Sequence, residues 1–279
     1  MRFQKILAIT FVAMIFANQI FAQSGPAWLQ QGDLVNAKKI WCFLEIPNTG
    51  IILAGGRGYY KRAAIWKSTN NGQTWEQKLN NSYTDEGVRQ FAFDENKNII
   101  FACVSNYWSY LEWKPIWYST DLGESWNYIS QPAALGNRAQ AHSIVILNNK
   151  LYVAFQDDHS ENGNDNWGIY SADLYRLDIS NPNSSYWYWE HCMHYPELDY
   201  IMRLAINNDK IYVFGKDRNT NGIRIFTYDP ESMGKNAQFI GKLDEIKKEI
   251  KLLQNEEAKS EQEKNINVPP INDNKGEVR

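Results

Sequence analysis

The sequence is poor in cysteine, carries no excess of charge of one sign, and has no apolar run long enough to cross a bilayer. Each shortage excludes something. Three cysteines (Cys42, Cys103 and Cys192) are too few and too scattered for a disulfide framework or a zinc knuckle. Lysine and arginine number 29 against 32 acidic residues, a net charge of −3, so no basic nucleic-acid or anionic-lipid surface dominates the chain. The longest apolar run, Ile6–Ala17, has 12 residues, whereas a span needs about 20. There is no Gly-x-Ser-x-Gly, no cysteine with a nucleophile signature and no phosphate loop. The run Gly55-Gly56-Arg57-Gly58 falls between strands instead of before a helix. His191 and His194, three apart in a strand-like run, are expected on opposite faces, so no metal pair is predicted. What is present is a 43% apolar chain with 14% aromatics, enough for a core and favouring β structure.

Arg2 and Lys5, the apolar run after them, and small Ala22 before Gln23 make a tripartite export signal. Cleavage is expected after Ala22, giving a secreted or periplasmic protein. Cys42 and Cys103 lie in the strand-like runs IWCFLEI and IIFACVS. They read as small buried hydrophobes, with a Cys42–Cys103 disulfide left open.

The strongest organisational signal is a repeat. Residues 64–79 (AIWKSTNNGQTWEQKL) align without gaps on 115–130 (PIWYSTDLGESWNYIS), 51 residues further on. Each copy reads as strand, tight turn, strand. Asp121 can accept backbone N–H groups to close an Asx-type turn, and Gly123 supplies a positive φ. Asn70 takes the place of the Asp in the first copy. The segments Ser68, Asn70, Gly72, Thr74, Trp75 and Ser119, Asp121, Gly123, Ser125, Trp126 follow the pattern Ser-x-Asp-x-Gly-x-Thr-Trp. On these residues the chain resembles the Asp-box (bacterial neuraminidase repeat) β-propellers, the group that includes sialidases. The resemblance implies an all-β fold, a propeller of four-stranded antiparallel blades, with the box turns away from the active face.

Apolar strand pairs precede each box and recur twice without one, at Ser143–Leu147 with Lys150–Phe155 and at Ile201–Ile206 with Lys210–Phe214. Asn-rich links between them are hairpin signals. Third strands are predicted at Ser171–Ile179 and Ile223–Tyr228, and fourth strands at Tyr186–Glu190 and Ala237–Ile240. Four blades result, over 38–80, 86–130, 139–192 and 198–241. Pro26–Val35 offers a further strand to close the ring. The domain plan is a signal over 1–22, the propeller over 23–241, a charged amphipathic helix over 242–259 and a disordered tail over 260–279. Leu243, Ile246, Ile250 and Leu253 form the helix stripe, which packs on the propeller or self-associates.

In a propeller the links from second to third strand gather on one face. Here these are 55–62, 105–114, 156–167 and 215–222. They hold Tyr59, Tyr60, Trp108, Tyr110, Trp113 and Trp167 as flat faces for sugar rings. Arg57, Arg62 and Arg218 can clamp a carboxylate, and Asp157, Asp158 and Asp217 can accept from hydroxyls. The oxygen-rich run from Asp157 to Asp165 gives calcium as a minority option, without EF-hand spacing; no other cofactor or metal is expected. The resemblance implies an Arg-Ile-Pro near the start in sialidases, but Glu45 precedes Ile46-Pro47 here. No sialidase catalytic residue is therefore carried over. The expected function is a non-catalytic propeller that binds a glycan or an extracellular protein through its loop-rich face. The alternatives are a divergent sialidase-like glycoside hydrolase, using Asp157 or Asp158 with Glu112 or Asp217, and an envelope assembly scaffold.

Overall fold

The computed structural model describes residues 33–80, 87–105, 114–135, 139–158, 170–181, 187–232, 237–248 and 251. Sixteen strands form four antiparallel sheets of four. The first holds β1 (Ala37–Ile46), β2 (Ile51–Gly58), β3 (Ala63–Ser68) and β4 (Glu76–Asn80) in that order. The second holds β5 (Gly87–Asp94), β6 (Ile99–Ser105), β7 (Ile116–Ser119) and β8 (Asn127–Ile129). The third holds β9 (Gln140–Leu147), β10 (Lys150–Asp158), β11 (Tyr170–Asp178) and β12 (Trp189–His194). The fourth holds β13 (Leu198–Asn207), β14 (Lys210–Asp217), β15 (Ile223–Tyr228) and β16 (Ala237–Lys242). First strands of successive sheets pack on one another, β1 on β5, β5 on β9 and β9 on β13. Meandering sheets stacked through their first strands are propeller blades, and the four predicted blades stand.

The hairpin links work as the asparagines suggest. Asn48, Asn98, Asn148, Asn149, Asn208 and Asp209 all take positive φ between first and second strands. Blades 2 and 3 bury both faces, so their strands alternate between two cores. Along β6, Ile100, Ala102 and Val104 pack with blade 1, while Ile99, Phe101 and Cys103 pack with blade 3. Cys42 packs in the first of these cores. The open question of a disulfide is answered: Cys42 of blade 1 packs in the core between blades 1 and 2, Cys103 in the core between blades 2 and 3, and all three cysteines are free thiols. Burial pushes the Cys103 thiol up to about 12 and the Cys42 thiol upward as well.

One boundary differs from expectation. The last strand of blade 3 starts at Trp189, not Tyr186, and runs on to His194. Residues 34–37 form a turn, with Ala37 N donating to Leu34 O at 3.1 Å; the rest of the expected closing strand, residues 26–32, lies outside the described residues. Trp66, fully buried, donates its indole N–H to Val35 O at 2.9 Å and holds this turn against blade 1. The helix is described over 243–248 and at 251, with Leu243 and Ile246 buried. It belongs to a unit of its own, separate from Ser24–Ile240. The expected signal, cleavage point and tail beyond 251 lie outside the described residues. Among the described residues no helix is long and apolar enough to cross a membrane.

The two Ser-to-Trp turns share one hydrogen-bond plan. Ser68 Oγ donates to Asn70 Oδ1 (3.0 Å) and accepts from Gly72 N (2.9 Å); Ser119 Oγ donates to Asp121 Oδ1 (2.7 Å) and accepts from Gly123 N (2.8 Å). Asn70 Oδ1 and Asp121 Oδ1 each accept from the backbone N four residues on, at 2.9 Å. The two differ at the hydroxyl: Asn70 Nδ2 donates to Thr74 Oγ1, whereas Ser125 Oγ donates to Asp121 Oδ2. Both turns sit at the end away from the second-to-third links, since Asn71 N donates to Gly50 O in the β1–β2 turn. Burial raises the Asp121 carboxyl, but donors from Ser125, Ser119 and Glu124 outweigh it and hold the group below its usual 3.8. A depressed carboxyl stabilises fully above its unfolded value and loses that contribution as pH falls through the folded one. The second turn is thus acid-sensitive and the first is not. Asp121→Asn is expected to flatten the fall of the urea midpoint below pH 3.8; an unchanged acid limb would show that Asp121 is not a source of it.

Candidate functional site

All four first strands break their pairing register at the same place. Ile40 pairs with Gly56 and Cys42 with Gly55, skipping Trp41. Val88 and Gln90 pair with Val104 and Cys103, skipping Arg89. Ala141 and Ser143 pair with Phe155 and Ala154, skipping His142. Ile201 and Arg203 pair with Gly215 and Phe214, skipping Met202. A bulge leaves one residue out of the ladder and re-aims its side chain. Four bulges at one level present Trp41, Arg89, His142 and Met202 from the innermost strands, in the half of each strand next to the second-to-third links.

Trp41, Arg89 and His142 make contacts across blade boundaries. The Arg89 guanidinium lies 4.4 Å from the Trp41 ring centroid, and Lys39 Nζ lies 5.3 Å from it. His142 stacks on Tyr200 with centroids 5.3 Å apart, and its Nε2 sits 2.9 Å from Gln156 Oε1. Arg203, one residue past the fourth bulge, is exposed on β13 at the same level. Below this layer runs a buried relay. Ser143 Oγ donates to Gln90 Oε1 (2.6 Å), Gln90 Nε2 donates to Ile144 O (2.8 Å), and Leu204 N donates to Ser143 Oγ (2.8 Å). Blades 2, 3 and 4 are thereby joined directly under the bulges. Cationic groups beside flat rings suit a ligand with an anionic group and an apolar face.

The expected rim residues fall into three groups. Tyr59 and Tyr60 form an exposed 3-10 turn with ring centroids 5.7 Å apart. Lys38 Nζ lies 4.0 Å over Tyr59, and Arg62 Cζ lies 5.8 Å from the Tyr60 centroid. Arg57 stands in β2, half-buried, opposite Lys39. This corner of blade 1 is brought together. Asp217 and Arg218 are engaged in holding blade 4. Asp217 is fully buried, accepts from Arg224 Nε at 2.6 Å and from Asn219 N at 2.9 Å, and is held below the usual carboxylate range by that arginine. Arg218 donates from Nη2 to Leu198 O at 2.9 Å. Asp157 and Asp158 end β10, and only their backbone is described. Trp108, Tyr110, Trp113, Glu112, Trp167 and the calcium-like loop from 159 onward lie outside the described residues.

His191 and His194 correct the expectation of opposite faces. Leu174 pairs with Met193 and Tyr175 with His191, so Cys192 is bulged out. The extra residue rotates the strand, and both rings reach Asp173 Oδ1, at 2.9 and 3.1 Å. Even so, among the described residues no group of three His, Cys, Asp or Glu side chains is arranged to hold a metal ion.

Inner-strand residues Trp41, Arg89, His142, Tyr200 and Arg203 were not among the expected site residues. Their signal is visible only when the four first strands are stacked: IWCF, VRQF, AHSI and IMRL share an apolar residue, a variable large residue and a second apolar residue two further on.

No protein-family profile matches this sequence, and no curated protein matches it. Among solved structures the chain is similar to a GH74 enzyme from Niastella koreensis (23% identity, TM-score 0.44, covering 64% of this chain and 26% of that one). It is also similar to a GH74 xyloglucanase from Xanthomonas campestris (15%, TM-score 0.47, 68% and 28%). A third likeness is to the NanB sialidase from Streptococcus pneumoniae (16%, TM-score 0.36, 71% and 28%). The chain spans about a quarter of the length of each of these proteins.

Proposed function

We propose that the protein is a non-catalytic propeller that binds a carbohydrate carrying a carboxylate, at the inner-strand bulges and the adjoining second-to-third links. The observation that carries this reading is the pair of cations at the Trp41 ring, the Arg89 guanidinium 4.4 Å and Lys39 Nζ 5.3 Å from its centroid. Guanidinium groups pair with a carboxylate, and the indole face takes the C–H face of the sugar. Glycoside cleavage needs one protonated acid and one free carboxylate at a set separation. The two described carboxylates of blade 4 on this side are engaged, Asp199 with Lys216 at 2.9 Å and Asp217 with Arg224. That supports binding over cleavage.

The test compares sialyllactose with lactose by calorimetry. The acidic sugar is expected to bind and the neutral one to bind at least tenfold more weakly. A hydrogen bond to a charged group contributes about 1.5–3 kcal/mol, so Arg89→Gln or Lys39→Gln should each weaken binding roughly 10- to 100-fold while the thermal midpoint holds. Equal affinity for both sugars, or indifference to both substitutions, would sink the reading. Release of free sugar that stops when a loop carboxylate is removed would replace it with a hydrolase.

A further inference from the structure

A groove of about 660 Å³ lies on the outer side of blades 2 and 3, away from the inner strands. One wall is the end of β8 and the link that follows, from Tyr128 to Ala134; the other is Trp187, Tyr188 and Trp189 leading into β12, with Tyr175 and His191 at the base. Its volume is that of a small-molecule site.

Trp187, Trp189, Tyr128 and Tyr175 are held before any ligand arrives. Trp189 Nε1 donates to Ser130 O at 2.7 Å and ties the two walls together. The same indole packs edge-on to Phe155 at 5.5 Å, and Trp187 packs on Tyr118 at 5.9 Å. Tyr128 packs on Trp117 at 5.8 Å, with Lys114 Nζ 4.0 Å over its ring. Tyr175 meets His191 edge-on at 4.9 Å. In its neutral form His191 gives its Nε2 proton to Asp173 Oδ1, which leaves Nδ1 as an acceptor. Tyr128 remains 47% exposed and Tyr188 81% exposed, so two phenol rings stand open at the mouth. A site whose supports are locked and whose contact faces are open is preorganised.

The charge of the lining decides the ligand class. Among the described residues that line the groove there is no lysine, arginine, aspartate or glutamate. The lining itself offers an ionic ligand no counter-charge, and the cation beside it, Lys114 Nζ, is held over the Tyr128 ring. A polyproline peptide would also meet flat rings here, but the Trp189 N–H, already given to Ser130 O, is not free for its carbonyls. A neutral sugar asks for something else: flat aromatic faces for its C–H groups, and hydroxyl and imidazole groups that donate and accept at the edges.

We infer that this groove is a second carbohydrate site, specific for a neutral oligosaccharide with flat faces, stacked on Tyr128 and Tyr188. It is distinct from the inner-strand site in place and in charge. The probes are cellohexaose, xylohexaose and mannohexaose, titrated calorimetrically into the full chain, with decaproline as the peptide comparison. At least one hexasaccharide should bind, and Tyr188→Ala should weaken it about tenfold, the equivalent of one aromatic contact. Tyr188 is mostly exposed, so the thermal midpoint should not move. Tyr128→Ala, measured separately, should show the same loss. Arg89→Gln should leave this binding unchanged. No binding of any hexasaccharide overturns the inference. So does preferential binding of decaproline, full affinity in both tyrosine variants, or loss of hexasaccharide binding in Arg89→Gln.

Discussion

Gly56→Ala is expected to destabilise the protein by about 3 kcal/mol or more, the upper part of the range for overpacking. A Cβ on Gly56 would stand 2.0 Å from Lys39 O and 2.9 Å from Ile40 Cα. Both are backbone atoms of β1, so no side chain can swing aside to make room. Gly87 approaches the same spot from blade 2, with φ at +119°, and a Cβ there would lie 2.4 Å from Gly56 O. Three backbones, of β1, β2 and β5, therefore meet where two side chains are missing. That meeting lies beside the bulge at Trp41 and the approach of Arg89 to its ring. Set against a typical stability of 5–15 kcal/mol, such a loss is large. Gly58→Ala, two residues on, is the comparison: its Cβ would meet Ala64 Cβ at 3.3 Å. It should cost under about 1 kcal/mol, partly offset by the smaller entropy of the unfolded chain. Urea midpoints at constant m-value separate the two. Equal midpoints for Gly56→Ala and Gly58→Ala would show that the seam can open at little cost.

The blades were legible because their signals are local. Asparagine in left-handed turns, alternating apolar strands and two matching Ser-to-Trp turns each act over a few residues. The site was less legible because bulges are not local in sequence. In IWCFLEI a period of two gives Trp41 and Phe43 one face and Cys42 the other. One residue left out of the ladder changes which side chain reaches the inner surface, and nothing in that run alone marks the place. The same mechanism moved His194 onto the face of His191. Asp217 shows a different limit. As a loop aspartate it reads as a hydroxyl acceptor, yet Arg224, seven residues later, reaches back across the hairpin and buries it. Pairing of that kind depends on the length of the 218–222 link, which composition does not reveal.

Ser143→Ala is expected to cost about 2–4 kcal/mol, more than an ordinary hydroxyl deletion, because it strands partners on two other blades. A buried donor or acceptor left without its partner costs about 1–3 kcal/mol. Ser143 is fully buried. Its removal takes the acceptor from Leu204 N in blade 4 and the 2.6 Å donor from Gln90 Oε1 in blade 2. Gln90 Oε1 keeps only the longer contact from Ile144 N, at 3.3 Å. Among the described residues, blade 1 has no such serine at its seam with blade 2. The equivalent position is Cys42, whose Sγ reaches Val88 O at 3.8 Å, a weak bond. The first seam relies on the close backbone approach of Gly56 and Gly87, and the later two on the Gln90–Ser143 relay. The two substitutions thus probe two solutions to one problem, holding inner strands together under a layer of re-aimed side chains. Hydrogen exchange at the Leu204 amide gives the relay its own readout: in Ser143→Ala its protection should fall further than that of its strand neighbours. A midpoint loss under about 1 kcal/mol with Leu204 protection unchanged would mean that the relay contributes no more than one exchangeable hydrogen bond.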